Sequence, residues 1–586
     1  MNNLQKLQDW MKNEGIDLFI VNRTDEFLNE YIAPYAERLA WLSNFTGSAG
    51  RLLIFQQKAV IFTDGRYTVQ VQEEVDQNFF KIEHLKNFWN FFRKCLQTNF
   101  TIGTDSKLHS YFEIQKIEKI LNTKKVSINY FKTNPIDSIW TDQPAYPFSQ
   151  AFIHEEKYAG KSATSKIEMI QALLKNNSID FYLLNTLDSI AWLLNIRGND
   201  ILYTPLLLSY VVIPNKGKIE FFVNNKKIQN IKNKLNDLAN FHEIENIENF
   251  ISNINFKKTI GIDEKRTPFF FYDLCKKHKL KTHFLDDPCI YLKARKNINE
   301  LDGARRANAR DAISIIKFLF WLKNEMIIKD TDEIKAAQYI EDLKSKNELY
   351  YSPSFETISA IGEHGALPHY RVTSKSNLSF KNNIIYLFDC GSQYRDGTTD
   401  ITRTIVLGKP SKEQKDRFTR VLKGHIAIAK AVFKKNTKGS DLDPLARVSL
   451  NEINCDYDHG TGHGIGSFLS VHEGPQRIAK LSKENKEAAI MEGMILSNEP
   501  GYYKKGAYGI RIENLIIARN KDKDFLEFET ISLVPIDIDL IDKNLLTNEE
   551  IGWLNNYHKK VYNSAKDYLS KKEIDWLQEV TKDISN

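Results

Sequence analysis

Between residues 383 and 517 the chain sets carboxylates at the ends of apolar strands and histidines on a glycine-rich loop. The run Asn383-Ile384-Ile385-Tyr386-Leu387-Phe388-Asp389 reads as a buried strand whose last residue is charged. A turn through Asp396-Gly397 follows. A second strand, Thr398-Thr399-Asp400-Ile401-Thr402-Arg403-Thr404-Ile405-Val406, then alternates apolar Ile401 and Ile405 with polar Thr402 and Thr404. A hairpin of this kind predicts Asp389 and Asp400 at facing positions, on the order of 5 Å apart. Carboxylates that close repel unless a cation lies between them. Asp396 reads as an ordinary turn or surface aspartate. The loop Asp458-His459-Gly460-Thr461-Gly462-His463-Gly464-Ile465-Gly466 lets its backbone approach a ligand closely. It is not a phosphate loop, because no GxxxxGK[ST] pattern is present. Val471-His472-Glu473-Gly474-Pro475 adds another histidine beside a turn.

Further on, Met494–Tyr503 places Glu499 at a strand end, and Gly509–Ile517 puts Arg511 and Glu513 on one face with Ile510 and Ile512 on the other. Buried charges are paired or bind metal. Four carboxylates and one imidazole can hold two divalent ions, and an oxygen-rich donor set suits Mn²⁺, Co²⁺, Fe²⁺ or Zn²⁺. The competing reading is a buried ion-pair network in which Arg511 and Arg403 neutralise the carboxylates.

The elements that must position these residues come from a chain of 586 residues, too long for one core. The first half is internally repeated. Ile16-Asp17-Leu18-Phe19-Ile20-Val21-Asn22 recurs as Ile179-Asp180-Phe181-Tyr182-Leu183-Leu184-Asn185, and Leu39–Gly47 recurs as Ile190–Gly198. Ile102-Gly103-Thr104-Asp105 answers Ile260-Gly261-Ile262-Asp263. Two copies of one α/β domain are predicted, each opening with an amphipathic helix, Leu4–Asn13 and Lys166–Leu174. A long helix is predicted from Asn299, acting as its cap, to about Asn324. Strands and glycine-rich turns follow from Tyr351. A helix over Asn548–Tyr568 and a docking segment at Trp576-Leu577 close the chain.

The 81 basic and 75 acidic residues nearly balance, which gives no argument for a nucleic-acid partner. Five scattered cysteines, at 95, 275, 289, 390 and 455, form no CxxC pair and read as free thiols of a reducing compartment. The N-terminal residues carry no apolar stretch of signal-peptide length, and no segment has the roughly 18 apolar residues of a membrane span. A cytoplasmic protein with no membrane partner is expected.

Asp389, Asp400, His463, Glu499 and Glu513, in this order and setting, resemble the metal ligands of the pita-bread metallopeptidases. Glu37–Ala40, Trp41–Gly50, Thr63–Tyr67, Trp192–Asp200 and Ser354–Ser359 extend the likeness over nearly the whole chain, toward the long three-domain aminopeptidase P subfamily. The resemblance implies two creatinase-like N-terminal α/β domains and a pita-bread catalytic domain, with boundaries at 1–145, 146–297 and 298–586. It implies Asp389 on one metal, His463 and Glu499 on the other, and Asp400 and Glu513 bridging. His369, His459 and His472 match active-site histidines, and Arg511 matches the arginine near the bridging glutamate. Pro368 stands where many relatives have an aliphatic residue, and His364 where some have asparagine. Neither change removes a ligand.

The implied function is hydrolysis of an N-terminal Xaa-Pro bond by a water activated between two divalent ions, Mn²⁺ first, with Co²⁺ or Zn²⁺ as substitutes. Glu499 is the expected proton carrier, and His369 and His472 the groups holding the carbonyl. A homodimer is expected by resemblance. The alternatives are a prolidase restricted to dipeptides and a non-catalytic pita-bread binding protein.

Overall fold

The computed structural model describes residues 2–326, 330–481 and 487–585. The chain forms two compact units. The first comprises the residues up to Glu156 together with Lys161–Cys289, and the second comprises Lys157–Gly160 and Ile290 onward.

The first unit contains two six-stranded sheets of the same topology. In one, the central strand Leu18–Asn22 pairs antiparallel with Arg51–Phe55 and parallel with Thr101–Asp105. In the other, Phe181–Leu184 pairs antiparallel with Tyr210–Pro214 and parallel with Thr259–Ile262. The repeated sequence segments therefore occupy equivalent strands. All five residues of Leu18–Asn22 are buried, as expected of a strand covered on both faces. Gly103 and Gly261 recur for a steric reason. A Cβ at Gly103 would lie 2.7 Å from the Phe19 ring, and one at Gly261 would lie 2.6 Å from the Tyr182 ring. The repeated Trp-Leu-X-Asn segments also match: each ends a helix with an asparagine in the left-handed region, Asn44 at φ 64° and Asn195 at φ 50°. Asparagine tolerates that conformation better than most residues.

The second unit begins with short helix Ile290–Ala294 and then helix Ile298–Phe320. The long helix is capped by Asn297, not by Asn299. The reason is the capping box: Glu300 stands at the third helical position only when counted from Asn297, and each side chain accepts from the other's backbone N–H. Asn299 lies inside the first turn and donates to Lys157 O at 3.2 Å, while Asn297 Nδ2 donates to Ala159 O at 2.8 Å. Past Phe320 the chain continues as a wider, π-type turn over Trp321–Glu325.

Ala312, Ile315, Phe318 and Leu319 of the long helix pack on Tyr386, Phe388, Cys390, Ile401 and Ile405. This contact buries one face of strand Ile384–Cys390 and leaves Asp389 on the other. Helix Lys412–Ala429 does the same from another side, through Phe418, Val421, Leu422 and Ile426 against Ile510 and Ile512. Ile551, Leu554, Tyr557 and Val561 of helix Asn548–Ala565 join that core, and Leu577 of helix Lys571–Val580 packs there too. The carboxylates occupy the opposite faces of the same strands.

Among the described residues no helix is long and apolar enough to cross a membrane. All five cysteines are free thiols.

Candidate metal centre

Asp389 lies in strand Ile384–Cys390, and Asp400 immediately precedes strand Ile401–Leu407. The register pairs Asp389 with Thr402, so Asp400 is a diagonal rather than a facing neighbour. The expected simple hairpin is interrupted. Residues Ser392–Tyr394 and Gly397–Thr398 form their own small pairing in a separate sheet before the chain returns. Asp389, Thr402 and Asp400 still share one face, because side chains alternate with period two.

Asp396, at the tip of that excursion, is not a surface residue. It is only 2% exposed, and Arg310 and Arg306 of the long helix reach its carboxylate. Its burial depends on arginines almost ninety residues earlier, which local sequence does not reveal.

His463 sits on strand Gly462–Gly464 between two glycines that let the strand run close to its neighbours. A Cβ at Gly462 would fall 2.0 Å from Ser497 O, and one at Gly464 would fall 2.2 Å from Glu473 O. His463 Nδ1 is 3.0 Å from Gly464 O. A carbonyl only accepts, so in the neutral ring Nδ1 carries the hydrogen and Nε2 presents its lone pair. That Nε2 lies 3.5 Å from Asp400 Oδ2 and 3.5 Å from Glu499 Oε1.

Glu499 follows strand Ile495–Asn498, and its backbone N–H donates to Thr461 O at 2.8 Å. Glu513 falls in a break between strands Tyr508–Arg511 and Asn514–Asn520, where sequence periodicity predicts one continuous strand. The expected alternation survives the break: Ile510 and Ile512 are in the core, and Arg511 and Glu513 are buried on the polar side.

Ligand atoms of Asp400, His463 and Glu513 lie within 4.8 Å of one another. Two buried oxygens beside them, Asp389 Oδ1 and Glu513 Oε1, have no hydrogen-bond partner. Burial, then the charges of Asp389 and Glu499, push Asp400 up to about 7, against the opposing effect of His463. Burial and the neighbouring carboxylates raise Glu513 well above its usual range. Burial lowers the His463 pKa, but Asp400 and Glu499 outweigh it and bring the ring to about 9. Burial and the crowding of negative charge act together in these shifts, and a divalent cation relieves the crowding.

The competing ion-pair reading is only half met. Arg511 Nη2 donates to Asp389 Oδ2 at 2.6 Å. Arg403 instead donates to backbone oxygens of Thr402, Glu513, Val534 and Pro535 and to the Asn514 and Tyr557 side chains. One guanidinium and one imidazole thus face four carboxylates, and the donor set fits divalent cations.

The other predicted residues surround this group. Arg511 Nη1 donates to Tyr503 Oη at 2.8 Å, and Tyr503 Oη is 2.8 Å from His459 Nε2. His459 Nδ1 faces Gly460 O at 2.8 Å, so its Nε2 accepts the tyrosine proton. Burial holds His459 down at about 4 and pushes Tyr503 up to about 12, so both are neutral near pH 7. The His472 ring stands edge-on to His463, with centroids 4.3 Å apart. His369 is half-buried just after turn Gly362–Ala366, which packs against strand Tyr508–Arg511 at the close approach of Gly365 to Gly509.

Two contributors went unrecognised in the sequence. Thr402 accepts from Arg511 Nε and donates to Glu513 Oε2 at 2.8 Å; its signal is its place two residues after Asp400. Tyr503 stands four residues after Glu499.

Known proteins resemble this chain over nearly its full length. The model of metallopeptidase family M24 matches residues 302–520, and the C-terminal region of that peptidase family matches 524–584. Two creatinase/prolidase N-terminal domain models match residues 3–131 and 142–300. The probable Xaa-Pro aminopeptidase P of Coprinopsis cinerea is 34% identical, covering 99% of this chain and 98% of that protein. The Xaa-Pro aminopeptidase 1 of Dictyostelium discoideum is also 34% identical, over 99% and 96%. The crystal structure of X-prolyl aminopeptidase from Caenorhabditis elegans, described as a cytosolic enzyme with a di-nuclear active site, superposes with a TM-score of 0.93 at 32% identity, over 97% of this chain and 95% of that one. A Bacillus anthracis Xaa-Pro dipeptidase, 23% identical with a TM-score of 0.52, shares the fold over 64% of this chain. Two creatinase-type N-terminal domains, an M24 domain and full-length similarity to these enzymes together place the chain in metallopeptidase family M24, in its Xaa-Pro aminopeptidase branch.

Proposed function

We propose that this chain is a metalloaminopeptidase that releases the first residue of peptides with proline in second position. The observation that carries this reading is the Asp400–His463–Glu513 group, with both carboxylates buried, set in an M24 domain of matching full-length architecture. Asp400 and Glu513 would serve both of two divalent ions, Asp389 would serve one of them, and His463 and Glu499 the other. When bound, two such ions supply Lewis-acid activation of water near neutral pH. An oxygen-rich donor set favours Mn²⁺, with Co²⁺ or Zn²⁺ as substitutes.

The protein groups divide the remaining work. The Gly464 carbonyl fixes the His463 tautomer. Arg511 orients Asp389 and, through Tyr503, His459. His472, beside His463, and His369 hold the substrate carbonyl and its developing negative charge, a role worth roughly 10²–10³-fold for one donor. Glu499 carries a proton toward the leaving nitrogen. That nitrogen is proline's, which lacks an N–H in the peptide, so the site must accept the ring. The protein acts in the cytoplasm, a reading supported by the cytosolic description of the nematode enzyme, and the family resemblance alone suggests a homodimer. Domain boundaries at 145/146 and 297/298 are supported by the two equivalent sheets and by the matched ranges.

The test is hydrolysis of an Arg-Pro-Pro peptide and an Arg-Pro dipeptide after chelation and re-addition of Mn²⁺, Co²⁺ or Zn²⁺. The longer peptide should be cleaved at its first bond in a metal-dependent manner. Preference for the dipeptide would make the chain a prolidase. Asp400→Ala should lose bound metal and turnover together, and full turnover by that variant after chelation would sink the two-ion reading.

A further inference from the structure

His425 bonds to two residues that each adjoin one of the glutamates, Asn498 before Glu499 and Asn514 after Glu513. It lies on helix Lys412–Ala429 and is completely buried. Its Nδ1 is 3.1 Å from Asn498 O, and its Nε2 is 3.1 Å from Asn514 Nδ2. The carbonyl accepts, so Nδ1 donates and Nε2 takes the amide hydrogen. Asn498 Nδ2 returns a bond to His425 O at 2.9 Å. Asn498 and Asn514 are register partners on adjacent strands. Glu499 follows the first and Glu513 precedes the second. Asn514 is held in turn: its Oδ1 accepts from Arg403 Nη2 at 2.8 Å, and Arg403 Nη1 donates to Glu513 O. One neutral ring therefore spans the pair of residues from which both glutamates project.

We propose that His425 is a positioning residue that fixes the separation of Glu499 and Glu513, and so sets divalent-metal affinity, without touching metal or peptide. The inference rests on the metal-site reading above. Groups that orient ligands from outside the coordination sphere typically contribute about 10–100-fold in metal affinity. Burial and the Arg403 charge hold the ring at about 3, so it keeps one protonation state throughout the working range.

The experiment titrates the chelated full-length chain with Mn²⁺ by calorimetry, on samples shown to be folded by circular dichroism. Wild type is compared with His425→Phe, which keeps a ring but loses both nitrogens, and His425→Asn, which keeps a donor toward Asn498 O. His425→Phe should bind Mn²⁺ 10–100-fold more weakly, with KM at saturating Mn²⁺ within twofold of wild type. His425→Asn should fall between the two and serves alone if the phenylalanine variant does not fold. Wild-type Mn²⁺ affinity in a folded variant overturns the proposal, as does a loss expressed only in KM. Failure of wild type itself to take up Mn²⁺ overturns the metal-site reading and this inference with it.

Discussion

At Asp400 and Glu513 a proton and a divalent cation compete for the same oxygens. Burial and neighbouring carboxylates raise Asp400 to about 7, and His463 stands near 9, so the metal-free site holds protons at pH 7. Metal must displace them. Apparent Mn²⁺ affinity should therefore fall as pH drops through 7, and binding should release protons at pH 7 but progressively fewer above about 9. Calorimetry in two buffers of different ionisation enthalpy reads this directly; identical heats at pH 7 would contradict it. Of the five proposed ligands, Asp389 and Glu499 stand out in sequence as charges at the ends of apolar strands, His463 stands on a glycine-rich loop, and the family resemblance assembles the set. What escaped was their support. Thr402 and Tyr503 are ordinary polar residues until Arg511, about a hundred residues away for Thr402, closes the network.

At the scale of elements, the segment between Ile361 and Leu378 carries His369 and is gathered by one carboxylate. Glu333, buried at the start of helix Glu333–Lys344, accepts from Ile361 N, His364 Nδ1, Tyr370 Oη and Leu378 N. The two backbone donors lie at the ends of the segment, and the two side chains lie within it. Buried donors left without a partner cost roughly 1–3 kcal/mol each. Glu333→Ala should lower the melting temperature and reduce kcat/KM at least tenfold, with Glu333→Gln milder in both; unchanged kcat/KM in a folded alanine variant would refute the link between this clamp and His369. His364, which stands where some relatives have asparagine, is here a working partner of Glu333. Strands and helices were largely legible because apolar periodicity reports burial. Their ends were less so. The Asn297 cap depends on a reciprocal bond with Glu300, and the break at Ile512-Glu513 depends on strands that pair in different sheets.

Across the whole molecule, the chain's two compact units should melt distinguishably, because the proposed metal ligands all belong to the second. Ligand at a hundredfold excess over Kd adds about 2.7 kcal/mol to the unit that binds it. Saturating Mn²⁺ should therefore raise one calorimetric transition by several degrees and leave the other in place; equal shifts of both would show that the units unfold together. The duplicated first unit was readable from sequence because its matched strands occupy identical sheet positions.

The tetrapeptide Lys157–Gly160 belongs to the second unit although first-unit sequence flanks it on both sides. Its carbonyls bind Asn297 and Asn299 at the head of the long helix, and a Cβ at Gly160 would lie 2.2 Å from Asn297 Oδ1. The catalytic half is thus not encoded by one uninterrupted stretch of gene. A fragment excised at Ile290 would lack the strap that secures its first long helix, so shuffling this half into another protein by a single crossover would deliver it incomplete.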